Sequence, residues 1–154
     1  MSNAIKCLNA LYNNPFIFGP VFHSFYKELK NKDRSLLLSY IVLPLSLYPA
    51  SQSYLIKRKS TKSCFRILLK EHSRIWGLQE RIEEYKLITN ITMQHALDIS
   101  VFNISSNLSI NVVSDWPTGF VAPPNASNAA QRLGEYISSY DVPTIYHYLG
   151  IKKI

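Results

Sequence analysis

Residues 128–150 constrain the fold most, because two short amphipathic helices are written there, each with its own boundary signals. The first runs through Ala129, Ala130, Leu133 and Tyr136, apolar positions at helical spacing. Asp141 precedes Pro143, the pairing of a capping oxygen with a proline in the first turn, and Gly150 follows the last apolar residue as a stop. Such a pair buries its apolar stripes only against other helices, so the rest of the chain is expected to supply them.

The beginning supplies the next constraint. Asn14 before Pro15 predicts a helix start: the Asn side chain caps free amides, and a proline at the first position gives up a donor that has no helical acceptor. Phe18, Val21, Phe22, Phe25, Tyr26 and Leu29 then recur at helical spacing, with Gly19 and Pro20 inside the pattern. Ser35 is expected to cap a second segment, 36–47, that is apolar almost all round and is kinked or ended by Pro44. A buried strand is the alternative there; the leucines and the length favour a helix. A third helix starts at Pro49. A fourth is expected from Ser60 or Thr61 to about Arg74, ended by Gly77, with a fifth over 80–88 and a sixth over 92–102.

The period then changes. Leu108, Ile110 and Val112 alternate with Ser109, Asn111 and Val113, which predicts a strand. The turn formers 115–119 and a return through Phe120, Val121 and Ala122 complete a hairpin, closed by Pro123 and Pro124. The expected fold is one domain spanning 1–154, mainly α with one small β-hairpin, α+β and winged-helix-like. Its parts are a helical region 12–107, a hairpin or wing 108–122, and a C-terminal helix pair 128–150.

Composition decides which functions fit. Hydrophobic residues are 47% and charged residues 18% of the 154, enough apolar matter for a core without disulfides or metals. The two cysteines, Cys7 and Cys64, have no metal or redox spacing and suit buried thiols in a reducing cytosol. The N-terminus lacks the apolar core of a secretory signal, and the 36–47 run is too short to span a bilayer. A cytoplasmic protein without a membrane partner is expected. His23, His72, His95 and His147 are scattered, the glycines are isolated, and no nucleophile motif is present. The expectation is a protein that is not an enzyme and carries no cofactor or metal.

The formal net charge of +7 fits nucleic acid, an anionic membrane or an acidic protein. Arg58, Lys62, Arg66, Lys70 and Arg74 repeat every four residues, so one continuous helix would carry them as a ridge. A solvated face, partly neutralised by Glu71 and the 80–84 acids, is one reading; docking to an acidic partner or a phosphate backbone is the other. Tyr136, Tyr140, Tyr146, Tyr148 and Trp116 cluster late in the chain, and Trp116, placed in a turn, is the candidate interface anchor.

Four segments in order carry a family resemblance: Tyr-Asn-Asn-Pro-Phe at 12–16 with its aromatic helix, the Val-Leu-Pro-Leu core at 42–45, Glu-Arg-Ile at 80–82 before a Thr-led helix, and Ala-Ala-Gln-Arg-Leu-Gly at 129–134 leading to 145–150. Together, over 12–151, they resemble the small middle component of three-component ABC-ATPase conflict systems, a group that includes Lamassu-type anti-phage defence. The stretch 99–107 is richer in Asn and Ser than the usual link into the hairpin. The resemblance implies an adaptor between an SMC/Rad50-like ATPase subunit and an effector subunit, often a nuclease, with nonspecific DNA contact inside the complex. It offers no catalytic motif. The rival is a winged-helix DNA-binding regulator, which would need base-reading side chains on an exposed helix. A peripheral membrane protein is the weaker third reading, since no basic helix with an exposed apolar face is evident.

Overall fold

A computed structural model describes residues 2–12, 14–57, 64–119 and 121–154. Among these residues lie eight α-helices and one two-stranded antiparallel sheet, a mostly helical α+β domain.

Helix α1 (Asn3–Tyr12) precedes the expected start, and its side chains through Leu8 are exposed. Cys7 is exposed with them, contrary to the expectation of two buried thiols; Cys64 is buried. Helix α2 (Pro15–Glu28) begins as its signals require. The Asn14 side chain accepts the Phe16 N–H at 2.9 Å, Pro15 occupies the first turn, and Pro20 is carried inside the helix. Its inward stripe includes Phe18, Val21, Phe22, Phe25 and Tyr26, all buried. Each such large side chain contributes about 1.5–3 kcal/mol when fully withdrawn from water.

The second segment divides into a 3-10 turn, Ser35–Leu38, and helix α3 (Ser39–Ser46), with Pro44 inside rather than at its end. Ser35 does not cap. Arg34 takes the capping position with φ 60°, and the Ser35 hydroxyl accepts the Ile110 N–H at 2.9 Å. Helices α4 (Pro49–Lys57) and α5 (Cys64–Lys70) follow; Ser60 and Thr61, the expected caps, lie outside the described residues.

The expected fifth and sixth helices are one helix, α6 (Leu78–Asp98), entered from Gly77 at φ 64°. Thr92 does not cap a new helix: its hydroxyl donates back to the Ile88 carbonyl at 2.7 Å, satisfying itself within the turn before it. Burial of Ile82, Ile88, Thr89, Thr92, Met93 and Ala96 along one side holds the helix through the polar interruption.

The hairpin lies earlier than expected. Strand β1 (Phe102–Ile104) pairs with β2 (Ile110–Val112), Phe102 opposite Val112 and Ile104 opposite Ile110. Phe102 thus belongs to a strand, not to a helix end, and Leu108 sits at φ 62° in the turn. Val121 and Ala122 are not in a strand, and Phe120 lies outside the described residues. The turn docks on the 32–36 loop, where the Arg34 N–H donates to the Asn107 carbonyl at 2.9 Å and the Leu36 N–H to the Leu108 carbonyl at 3.0 Å.

Helices α7 (Ala126–Ile137) and α8 (Val142–Leu149) close the fold. Gly134 is interior to α7, not its stop. A Cβ there would lie 2.5 Å from the Phe25 carbonyl oxygen, so α2 crosses at a separation only glycine permits. Asp141 caps α8 by accepting the Thr144 N–H at 2.9 Å, and Gly150 ends it at φ 69°.

Candidate functional site

The basic row comes from short, interrupted structure. Arg58 and Lys62 lie outside the described residues. Arg66 and Lys70 are exposed on α5, one turn apart. Helix α5 ends at Lys70, Glu71 is extended, and a 3-10 turn, His72–Arg74, takes the chain elsewhere. Arg74 therefore leaves the row. Its guanidinium donates to the Ile67 carbonyl at 2.8 Å, pairs with Glu71 at 3.3 Å and stacks 4.3 Å over the Tyr54 ring. These contacts close the helix C-terminus, where a cation complements the free carbonyls. With Lys57, Ser53 and Ala50 they rim a shallow cavity of about 370 Å³.

Trp116 packs on its own chain. Its ring lies so near Gly19 that a Cβ there would stand 1.9 Å from Cζ2, and it meets His95 edge-on at 6.0 Å between centroids. The ring is half-buried against its own chain. Of the late tyrosines, Tyr136 is buried, Tyr140 packs on Phe65, the Tyr146 hydroxyl donates to the Leu37 carbonyl, and Tyr148, beside Phe65, stays 40% exposed.

The outward aromatic is Trp76, 72% exposed on the turn into α6. Arg81 holds that turn, donating to the Trp76 carbonyl and, through Nε, to the Pro44 carbonyl at 3.2 Å, while its guanidinium stacks 3.7 Å over Tyr48. Sequence reading passes over Trp76 because Gly77 marks the place as a helix end. Its signal is the large aromatic beside a glycine that must turn.

Helix α6 presents the longest outward face. Glu80, Glu83, Glu84, Leu87, Ile91, Gln94 and Asp98 are all exposed on it. Beside its second half, Pro15, Asn90, Ile91 and His95 line a groove of about 500 Å³. None of Glu80, Glu83 and Glu84 forms an ion pair among the described residues, so these acids pair with neither Arg66 nor Lys70. Glu71 pairs with Arg74, which has left the row.

One half-buried cation stands apart. Lys32 Nζ donates to the carbonyls of Ile137, Ser138 and Tyr140 at 2.8, 3.2 and 2.5 Å, tying the loop after α2 to the turn between α7 and α8. Burial lowers its pKa to about 8, opposed by the nearby Asp141 carboxylate. Tyr26, fully enclosed and donating to the Ser35 carbonyl at 2.9 Å, is raised well above the usual phenol, by burial first and by Tyr146 second.

Among the described residues no three His, Cys, Asp or Glu side chains converge as a metal set, and no helix is long and apolar enough to cross a membrane. The distinctive side chains stand on outer helix faces instead of meeting in a cleft. The fold is that of a small, mostly helical α+β domain. The chain belongs to the family of ABC-three component (ABC-3C) system Middle Component 3, whose sequence model matches residues 2–153. Membership implies partners such as an ABC ATPase. No curated protein and no solved structure matches the chain.

Proposed function

We propose that this chain is a non-enzymatic adaptor. In this reading it links an SMC-like ABC ATPase to an effector of nuclease type within a cytoplasmic anti-phage complex of the Lamassu kind. The observation that carries it is the family match over residues 2–153. The surface supports the same reading, since Arg66 and Lys70 face outward on one helix and Glu80, Glu83 and Glu84 on another. A rigid body bearing faces of opposite sign can hold two different partners at once, each chosen by charge. The mechanism is linkage: if binding the ATPase changes the chain's affinity for the effector, binding the effector changes its affinity for the ATPase by the same factor, so an ATPase state that alters the first contact biases the second.

The basic row of Lys62, Arg66 and Lys70 docks the ATPase, or DNA lying against it, through phosphate and carboxylate contacts rather than base reading. The test is a pull-down of the tagged chain expressed with its flanking genes, at low and high salt. Recovery of a large ATPase together with a second protein, persisting in high salt, supports the adaptor. Recovery of the chain alone with DNA that salt removes, on a defined palindromic site, would replace it with a DNA-binding regulator. Reversal of Lys62, Arg66 and Lys70 to Glu is expected to weaken assembly about tenfold without unfolding the chain. Unchanged assembly and unchanged defence would reduce the row to a solvated face.

A further inference from the structure

We infer that the outer face of α6 is a docking strip for a basic amphipathic helix of a partner protein. It rests on the adaptor reading only for where that helix comes from. At 3.6 residues per turn, Glu80, Glu84, Leu87, Ile91, Gln94 and Asp98 fall on one line, with Glu83 beside it. The line extends about 27 Å at the helical rise per residue.

The strip has two halves of different chemistry. The first is acidic, with Glu80, Glu83 and Glu84 exposed and not ion-paired among the described residues. The second opens on apolar side chains, Leu87 70% and Ile91 42% exposed, and closes on Gln94 and Asp98. Ile91 continues into the groove lined by Pro15 and His95, and Phe16, 39% exposed, closes its rim with its ring 4.8 Å from that of His95. A single exposed leucine is ordinary on a protein surface, but apolar side chains continuous with a groove mark a place for a partner.

One flank of the strip and its far end are already fixed. The Tyr40 hydroxyl holds the Asn90 side chain at 2.7 Å, and Gln94 holds Asp98 at 2.8 Å. The strip is therefore pre-ordered, which lowers the entropy that binding must overcome.

Charge selects the occupant. The chain carries a net +7, yet three of its ten acidic residues stand in five consecutive positions here. A basic helix is repelled by most of this surface and attracted to this end of α6. An acidic one meets the reverse. A helix that lays leucine-type side chains along Leu87 and Ile91, with Lys or Arg against Glu80–Glu84, satisfies both halves.

The experiment compares two variants within the co-expressed assembly. One is Leu87→Gln with Ile91→Gln; the other is Glu80→Lys, Glu83→Lys and Glu84→Lys. Each is expected to lower recovery of one component about tenfold while the other component stays bound. The charge variant's loss should shrink in high salt, whereas the apolar variant's should not. Thermal unfolding of each purified variant, expected to match the wild type, separates lost docking from lost folding. Wild-type recovery of both components by both variants would overturn the inference and leave the adaptor standing. A wild-type chain that recovers no component would remove the adaptor and the inference together. If the chain alone is a dimer that the apolar variant turns into a monomer, the occupant is a second copy and the inference is wrong.

Discussion

The buried side of α7 carries Ala126, Ala129, Ala130, Leu133, Gly134, Tyr136 and Ile137, and α2 crosses it at Gly134. Along its outer side α6 offers solvent three glutamates, a leucine and an isoleucine. The first surface is shaped so closely to α2 that a single methyl at residue 134 meets backbone. The second is turned to solvent. The contrast separates residues that hold the fold from residues left free for another molecule.

The strongest way to break the comparison is at the seam. Phe22, fully buried on α2, should cost about 3–5 kcal/mol when cut to alanine, read by urea unfolding. Gly134→Ala is next. Alanine favours a helix by up to about 1 kcal/mol over glycine, but its Cβ would meet the Phe25 carbonyl at 2.5 Å, so a net loss of about 1–3 kcal/mol is expected. A gain in stability would mean that the two helices separate freely.

The loop-to-helix tie gives a smaller, pH-dependent effect. Lys32 has a folded pKa near 8, below that of a free lysine. Between those values the unfolded chain binds more protons, so this lysine's contribution to stability rises as pH increases through that window. Against Lys32→Met, wild-type stability should therefore improve from pH 8 to pH 10 in parallel denaturant titrations. Above about pH 10 the enclosed Tyr26 acts oppositely. Its folded pKa is raised, so the unfolded chain releases the proton first and stability falls. The smallest effect sharpens the contrast from the other side: Leu87→Gln should change stability by less than about 0.5 kcal/mol.

The parts of the fold that sequence reading recovers are those whose cause is local. Asn14 with Pro15, and Asp141 with Gly150, set their helix ends through contacts within a few residues, and the structure has them where expected. What it misses depends on distant chain. The run from Thr89 to Thr92 reads as a break, yet burial of both threonines carries α6 straight through. Alternation over 108–113 marks β2, but β1 is too short for a period of two to show, and the register is set by the distant Ser35 hydroxyl as much as by alternation. Of the candidate site, Arg66 and Lys70 were legible as an outward pair because four-residue spacing is a helical property. Arg74 was not, since the end of α5 at Lys70 has no proline or glycine to announce it. Trp116 reads as an anchor from its turn, but only the folded chain brings Gly19 beneath it.

The seam between α2 and α7 also sets an order in time. The main partner of α2, which ends at Glu28, does not begin until Ala126. At a synthesis rate of about 5–20 residues per second, roughly a hundred residues separate the two by about 5–20 seconds. Through that interval Phe18, Phe22 and Phe25 have emerged without the helix that seals them. A nascent chain with such an aromatic face attracts chaperones, and its native state is reached only after α7 has been made. A chain cut short before residue 126 would keep the aromatic helix and lose its cover, so premature termination should yield aggregate rather than a smaller folded domain.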